Sequence, residues 1–260
     1  MSANPTVRDQ LRVFFCALGY FTRIPIPAWV GYQAGDLDRA ARYFPLVGGL
    51  VGLIAAVVFG LAHWLWPLRV ALLLSTLATV YLTGAFHEDG LADSVDGLGG
   101  GYERHRVLEI MHDSRIGSFG AMALLLALAI KIESLAALPP GLIPAVLLAV
   151  HAGSRLVAVS LLVTLDYVRP EGKAKPVATR LSGGGLLLAL GCGLLPLALL
   201  PWRCAVLILL VWLALRWAMA RYLLRRLGGY TGDTLGMTQQ LAELAGYLVC
   251  AACVYTSFAI

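Results

Sequence analysis

The chain has 260 residues, of which 59% are hydrophobic and only 13% charged. Soluble domains carry about 25% charged residues, so tandem soluble modules are excluded, and a mean hydropathy of +0.79 points to one integral membrane domain. The net charge of +5 does not imply nucleic acid, because no soluble basic face or recognition module accompanies it; basic loops held against anionic membrane lipid account for it.

In chain order, residues 7–29 mix Arg8 and Arg12 with Phe14, Phe15 and Phe21 and end at Pro25 and Pro27, which predicts an interfacial helix. Nothing there has the layout of a cleaved signal peptide. Seven apolar stretches follow, at 44–66, 70–86, 117–138, 142–165, 186–200, 204–224 and 242–260. A spanning helix needs about 20 such residues, so the fifth is short. The expected fold is all-α: a polytopic membrane helical bundle with about seven transmembrane helices plus the interfacial helix. It forms one domain over 1–260, with an N-terminal segment at 1–43 and an acidic loop at 87–116. Gly48 and Gly52 form a small-xxx-small pair, which predicts close helix packing. Cys16, Cys192, Cys204, Cys250 and Cys253 fall almost entirely in apolar runs and read as packing thiols.

With the N-terminus inside, fourteen basic residues fall on inner segments and only Arg69 and Arg203 on outer turns. That bias puts the long polar loops, and the chemistry, on the cytoplasmic side.

Seven of the fifteen acidic residues lie between His87 and Asp113. On a helix Asp89, Asp93 and Asp96 are spaced i, i+4, i+7 and share one face. Three carboxylates in one stripe repel unless a cation sits among them, and hard oxygen ligands select Mg²⁺, Ca²⁺ or Mn²⁺. Glu88 projects about 100° off that stripe. His87 is either a base or an interfacial histidine. Asp113 is placed to complete a metal shell, and Arg115 offers a bidentate fork for phosphate. In TGDTLG, 231–236, Thr231 and Asp233 suit either a phosphate- or metal-contacting turn or an ordinary helix cap. Lys131 and Arg155 lie deep inside spans; a Lys131–Glu133 or interhelical pair competes with an anionic ligand as the explanation. The basic stretch 166–175 is either a substrate contact or the positive-inside signal. A P-loop, HExxH and GxSxG are absent.

Five stretches in order, FTRIPIP (21–27), YFPLVGGLVG (43–52), GAFHEDGLADSVDG (84–97), EIMHDSRIGSFG (109–120) and TGDTLG (231–236), resemble the cobalamin synthase family of the bacterial inner membrane. Lys131, Arg155 and the Tyr167–Arg169–Gly172 pattern also fall where that family carries similar residues. Glu88 and the lysines Lys173 and Lys175 depart from it. The resemblance implies a ribazoletransferase: the 3′-hydroxyl of α-ribazole, or of its 5′-phosphate, attacks the cobinamide-linked phosphorus of adenosylcobinamide-GDP and GMP leaves. It implies Mg²⁺ held by Asp89, Asp93 and Asp96, with His87, Asp89, Asp93 and Asp113 catalytic. Arg115, Arg155, Arg169, Thr231 and Asp233 would meet substrate. A homo-oligomer is compatible with the sequence but not specified by it. The rival readings are a divalent-cation transporter, whose acids belong at the midplane, and a CDP-alcohol phosphatidyltransferase, whose full signature is missing.

Overall fold

Breakers and caps divide the apolar sequence into helices, and the computed structural model describes residues 6–31, 33, 35–168 and 181–258. In order they form α1 (Val7–Phe21), α2 (Asp36–Ala40), α3 (Phe44–Leu65), α4 (Leu68–Thr83), α5 (Phe86–Gly100) and α6 (Arg104–Ile110). Then come α7 (Ser118–Ala136), α8 (Ile143–Ser160), α9 (Gly183–Leu194), α10 (Trp202–Leu227) and α11 (Gly232–Phe258). Thr6 starts α1 with a reciprocal capping box to Asp9. Pro67 and Pro201 stand just ahead of α4 and α10, where a missing N–H is harmless. Among the described residues there is no strand, only an isolated bridge between Tyr167 and Tyr230.

The all-α membrane class is as expected, but the count of spans is not. Four units are long and apolar enough to cross a bilayer: Asp36–Leu65, α7, Ile143–Val163 and α10. A fifth crossing arises only if α4 and α5, bent by 85°, are counted together. The expected fifth span is a shorter apolar segment, Gly183–Leu199, that tightens into a 3-10 turn. The expected seventh is the second half of α11, whose first half carries Thr234, Thr238, Gln239, Gln240 and Glu243 buried inside the protein. Those residues face partners rather than lipid, which apolar run length alone does not reveal.

The acidic loop expected at 87–116 is also largely helical, as α5 and α6. The elbow before α5 is made by Gly84 and Ala85, both left-handed at φ 65° and 58°. Two such residues cannot continue a helix, and the alanine methyl there costs about 1–2 kcal/mol. Arg23 braces the elbow: its backbone N–H donates to the Leu82 carbonyl at 2.8 Å and its guanidinium lies 5.4 Å from the Tyr81 ring centre. FTRIPIP therefore ends one helix and pins the turn of another.

Helix α8 is the axis of the bundle, with 83% of its spanning window buried against 22% for α10, whose remaining faces are open to lipid. Its most extensive partner is α3. Gly48 and Gly52 make that approach: a Cβ on Gly52 would lie 2.6 Å from the Leu147 carbonyl and 2.9 Å from Leu148 Cα. Leu53, Val57 and Leu61 point outward from α3. Arg12 on α1 holds Asp36 through two bonds of 2.7 and 2.8 Å, fastening the amphipathic α1 to the bundle.

Overpacking of such a contact costs about 1–3 kcal/mol. Gly52→Leu is expected to lower the detergent unfolding midpoint, whereas Gly60→Leu, whose Cβ meets nothing within 4 Å, leaves it unchanged; a melt of both variants checks this.

Candidate active site

The site is assembled where α5 crosses the start of α11. Gly90 permits the crossing: a Cβ there would lie 2.9 Å from the Asp233 carbonyl and 3.3 Å from Gly236 Cα. The acidic face of α5 and the TGDTLG turn thus meet at one end of the bundle. Thr231 and Thr234 cap α11 reciprocally, with Thr231 N–H donating to Thr234 Oγ1 at 2.9 Å and Thr234 N–H to Thr231 Oγ1 at 3.2 Å. Thr231 is fully buried in this box, so its hydroxyl is committed to the helix end and not turned to a phosphate. Arg226 closes the other end of α5, donating to the Leu98 and Gly101 carbonyls at 3.1 and 2.7 Å.

The three aspartates divide. Asp89 is exposed and Asp93 half-buried. Asp96, expected as the third metal ligand, is buried and accepts the Gly117 and Gly120 amides at 2.7 and 2.8 Å, one on each oxygen. It is the acidic cap of α7, favoured by the positive end of that helix. Gly117 and Gly120 are glycines because a Cβ at either would collide with this carboxylate. Among the described residues no three His, Cys, Asp or Glu side chains form a group that could hold a metal by themselves. Asp89 and Asp93, one turn apart on one face, do fit Mg²⁺ in its usual mode: one or two carboxylates, with water and substrate phosphate completing the shell.

Asp113 and Arg115 hold each other on the surface, the closest contact being Nη2 to Oδ2 at 2.7 Å. They line an open cavity of about 570 Å³ between α6 and the start of α7. The Arg115 guanidinium pulls the Asp113 carboxyl down to about 2, which makes Asp113 a poor proton acceptor near neutrality. Arg169 lies outside the described residues.

Arg155 and His87 instead line a cleft between α1, α3, α5, α8 and the first turn of α11. Arg155 is 3% exposed, donates to the His151 carbonyl at 2.9 Å, and has no ion-pair partner among the described residues; its Nε is unsatisfied. His87 stacks on Phe21, ring centres 5.3 Å apart. Beneath them lies a buried polar network that sequence reasoning missed. Glu243 accepts from Lys131 at 2.7 Å and from Gln239 at 2.6 Å, with Tyr247 and the His151 ring at 3.3 Å. Of the two pairings expected for Lys131 the interhelical one holds: Lys131 turns inward to Glu243, while Glu133 meets Arg69 on the exposed surface. The signal available was the lone acid in the last apolar run.

Two predictions follow from these contacts. Removing one partner of a buried pair costs about 3–5 kcal/mol, while replacing both with apolar groups is far milder; Glu243→Leu is therefore expected to destabilise strongly and Lys131→Met/Glu243→Leu to recover much of the loss in a double-mutant cycle. The Asp113 carboxyl is lowered by folding, so its pairing is present above its ordinary range and lost only as pH falls through about 2. Asp113→Asn should accordingly leave the acid limb of the pH–rate profile unmoved between about pH 5 and 7; a displaced limb would assign Asp113 a proton-transfer role.

The sequence profile of the cobalamin-5-phosphate synthase family matches residues 13–251. An adenosylcobinamide-GDP ribazoletransferase from Ralstonia pickettii (strain 12J) is 52% identical over 242 residues, covering 92% of this chain and 94% of that one. One of the same name from Shewanella amazonensis (strain ATCC BAA-1098 / SB2B) is 47% identical over 250 residues, covering 94% and 96%. No solved structure matches the chain. Identity at this level across nearly the whole length places the chain in the cobalamin-5-phosphate synthase family.

Proposed function

We propose that this protein is an adenosylcobinamide-GDP ribazoletransferase. It joins the cobinamide phosphate of its donor to the 3′-hydroxyl of α-ribazole, or of the 5′-phosphate, in the last steps of cobalamin biosynthesis. The observation that carries the reading is Arg155: a buried guanidinium with no carboxylate at ion-pair distance among the described residues, in a cleft rimmed by the first turns of α11 and by Phe86 and His87 of α5. A helix N-terminus and an unpaired cation together favour an anion, and both substrates bring phosphate chemistry.

Phosphoryl transfer needs positioning and charge neutralisation more than covalent help from the protein. Arg155 holds non-bridging phosphate oxygens on the dry side of the site, and Asp233 with the α11 turn fixes that wall. Asp89 and Asp93 would hold Mg²⁺, which when bound neutralises charge developing on the diphosphate. The hydroxyl oxygen of ribazole forms the new P–O bond, the bridging P–O bond to GMP breaks, and the hydroxyl proton passes to His87, which the cleft places at its wall. Arg115, paired with Asp113 in the open cavity beyond Asp96, would meet a phosphate of the departing nucleotide by exchanging that partner. The apolar helices fit a membrane protein; the basic bias of the loops supports a bacterial inner-membrane placement with the site facing the cytoplasm.

Asp93→Asn and Arg155→Met are each expected to lower kcat/KM by about 10²–10³-fold, and chelation of divalent cations to abolish turnover until Mg²⁺ is restored. GMP release by protein reconstituted in liposomes measures both; rates near wild type in Asp93→Asn would sink the metal assignment.

A further inference from the structure

We infer that the cleft beside Arg155 is the subsite for the benzimidazole ring of the ribazole acceptor, and not for the guanine of the donor. The inference rests on the transferase reading and adds which substrate enters which part of the site.

The lining decides it. Four aromatic rings, Tyr20, Phe21, Phe44 and Phe86, form one side of the cleft. They pack edge-to-face and face-to-face, with Phe21–Phe44 centres 4.5 Å apart, Tyr20–Phe86 5.2 Å, and Tyr20–Phe44 nearly parallel at 6.2 Å. Such rings stack on any flat heterocycle. The other lining is chiefly Ala158, Val159, Leu235 and two glycines, with His87, Arg155 and Gln239 the polar side chains besides the Tyr20 hydroxyl. Gln239 is already engaged with Ser154 at 3.0 Å and with Glu243. Guanine carries several donors and acceptors on its edge, and burying them here leaves them unpaired at a high desolvation penalty. The dimethylated benzimidazole of α-ribazole has a wholly apolar outer edge. It matches an apolar wall with a few placed polar groups, the usual make-up of a small-molecule site. Its attached ribose then lies toward His87, and a 5′-phosphate lies toward the unsatisfied Arg155 guanidinium.

Size excludes the corrin, while the lining separates the two bicyclic bases. The cleft is narrow as it stands, with only about 30 Å³ open to a water-sized sphere. A corrin macrocycle is far too large for it, and a bicyclic ring enters only as the aromatic side chains move apart.

The test is a two-substrate kinetic comparison on the full chain in liposomes. Phe86→Leu, and independently Tyr20→Leu, removes a stacking surface at a half-buried position. Each should raise KM for α-ribazole about ten- to a hundredfold, while KM for adenosylcobinamide-GDP moves less than about twofold. 5,6-Dimethylbenzimidazole alone should inhibit wild type competitively against α-ribazole, with a Ki that rises in the variants in step with that KM. A rise confined to the KM of adenosylcobinamide-GDP, or inhibition relieved by that donor, overturns the assignment and gives the cleft to guanine. Equal KM values in wild type and both variants overturn it in favour of a lipid-filled crevice. Wild-type protein that forms no product at all defeats the transferase reading itself, a result distinct from either.

Discussion

One buried carboxylate holds the bundle together. Glu243 takes the Lys131 ammonium, the Gln239 amide and the Tyr247 hydroxyl inside an apolar core, and the His151 ring stands beside it. It joins α7, α8 and α11 at one point. A charge pair in such a place is tolerated only when further hydrogen bonds support it, and here the Gln239 amide and the Tyr247 hydroxyl supply them to the carboxylate. What Glu243 cannot do is neutralise two cations at once. With Lys131 bound to Glu243, Arg155 makes no ion pair at bonding distance among the described residues, one turn along α8 from His151, where the cleft opens. The arrangement therefore fixes a cation in low dielectric, where its pull on a phosphate is much stronger than it would be in water.

The sequence reveals chemistry better than geometry. The i, i+4 spacing of Asp89 and Asp93 is readable because it needs only the helix period, and Gly48 with Gly52 announces a close contact for the same reason. Asp96 continues the same period yet performs a different task, because its partners, the amides of Gly117 and Gly120, come from another helix. Thr231 shows how a local cap resembles a phosphate loop: both call for hydroxyls beside glycine. Lys131 has an acid two residues away in sequence, but adjacent helical positions point apart, so its true partner is Glu243, 112 residues on.

Span counting failed for a related reason. Apolar length separates lipid-facing helices from loops, but α11 is long and enters the core with polar residues on it. Its glutamines and its glutamate lower its hydropathy while being entirely shielded by protein. In such a helix the polar residues mark function rather than a boundary.

The elbow at Gly84–Ala85 has an architectural consequence. Helices α4 and α5 meet at 85°, and only together are they long and apolar enough to count as one crossing. The aspartates of α5 are thereby turned away from the line of α4 on a bend braced by Arg23, just beyond the amphipathic first helix. A bend of this kind presents the carboxylates at the end of a broken helix, where a bulky reactant meets them without threading between packed helices.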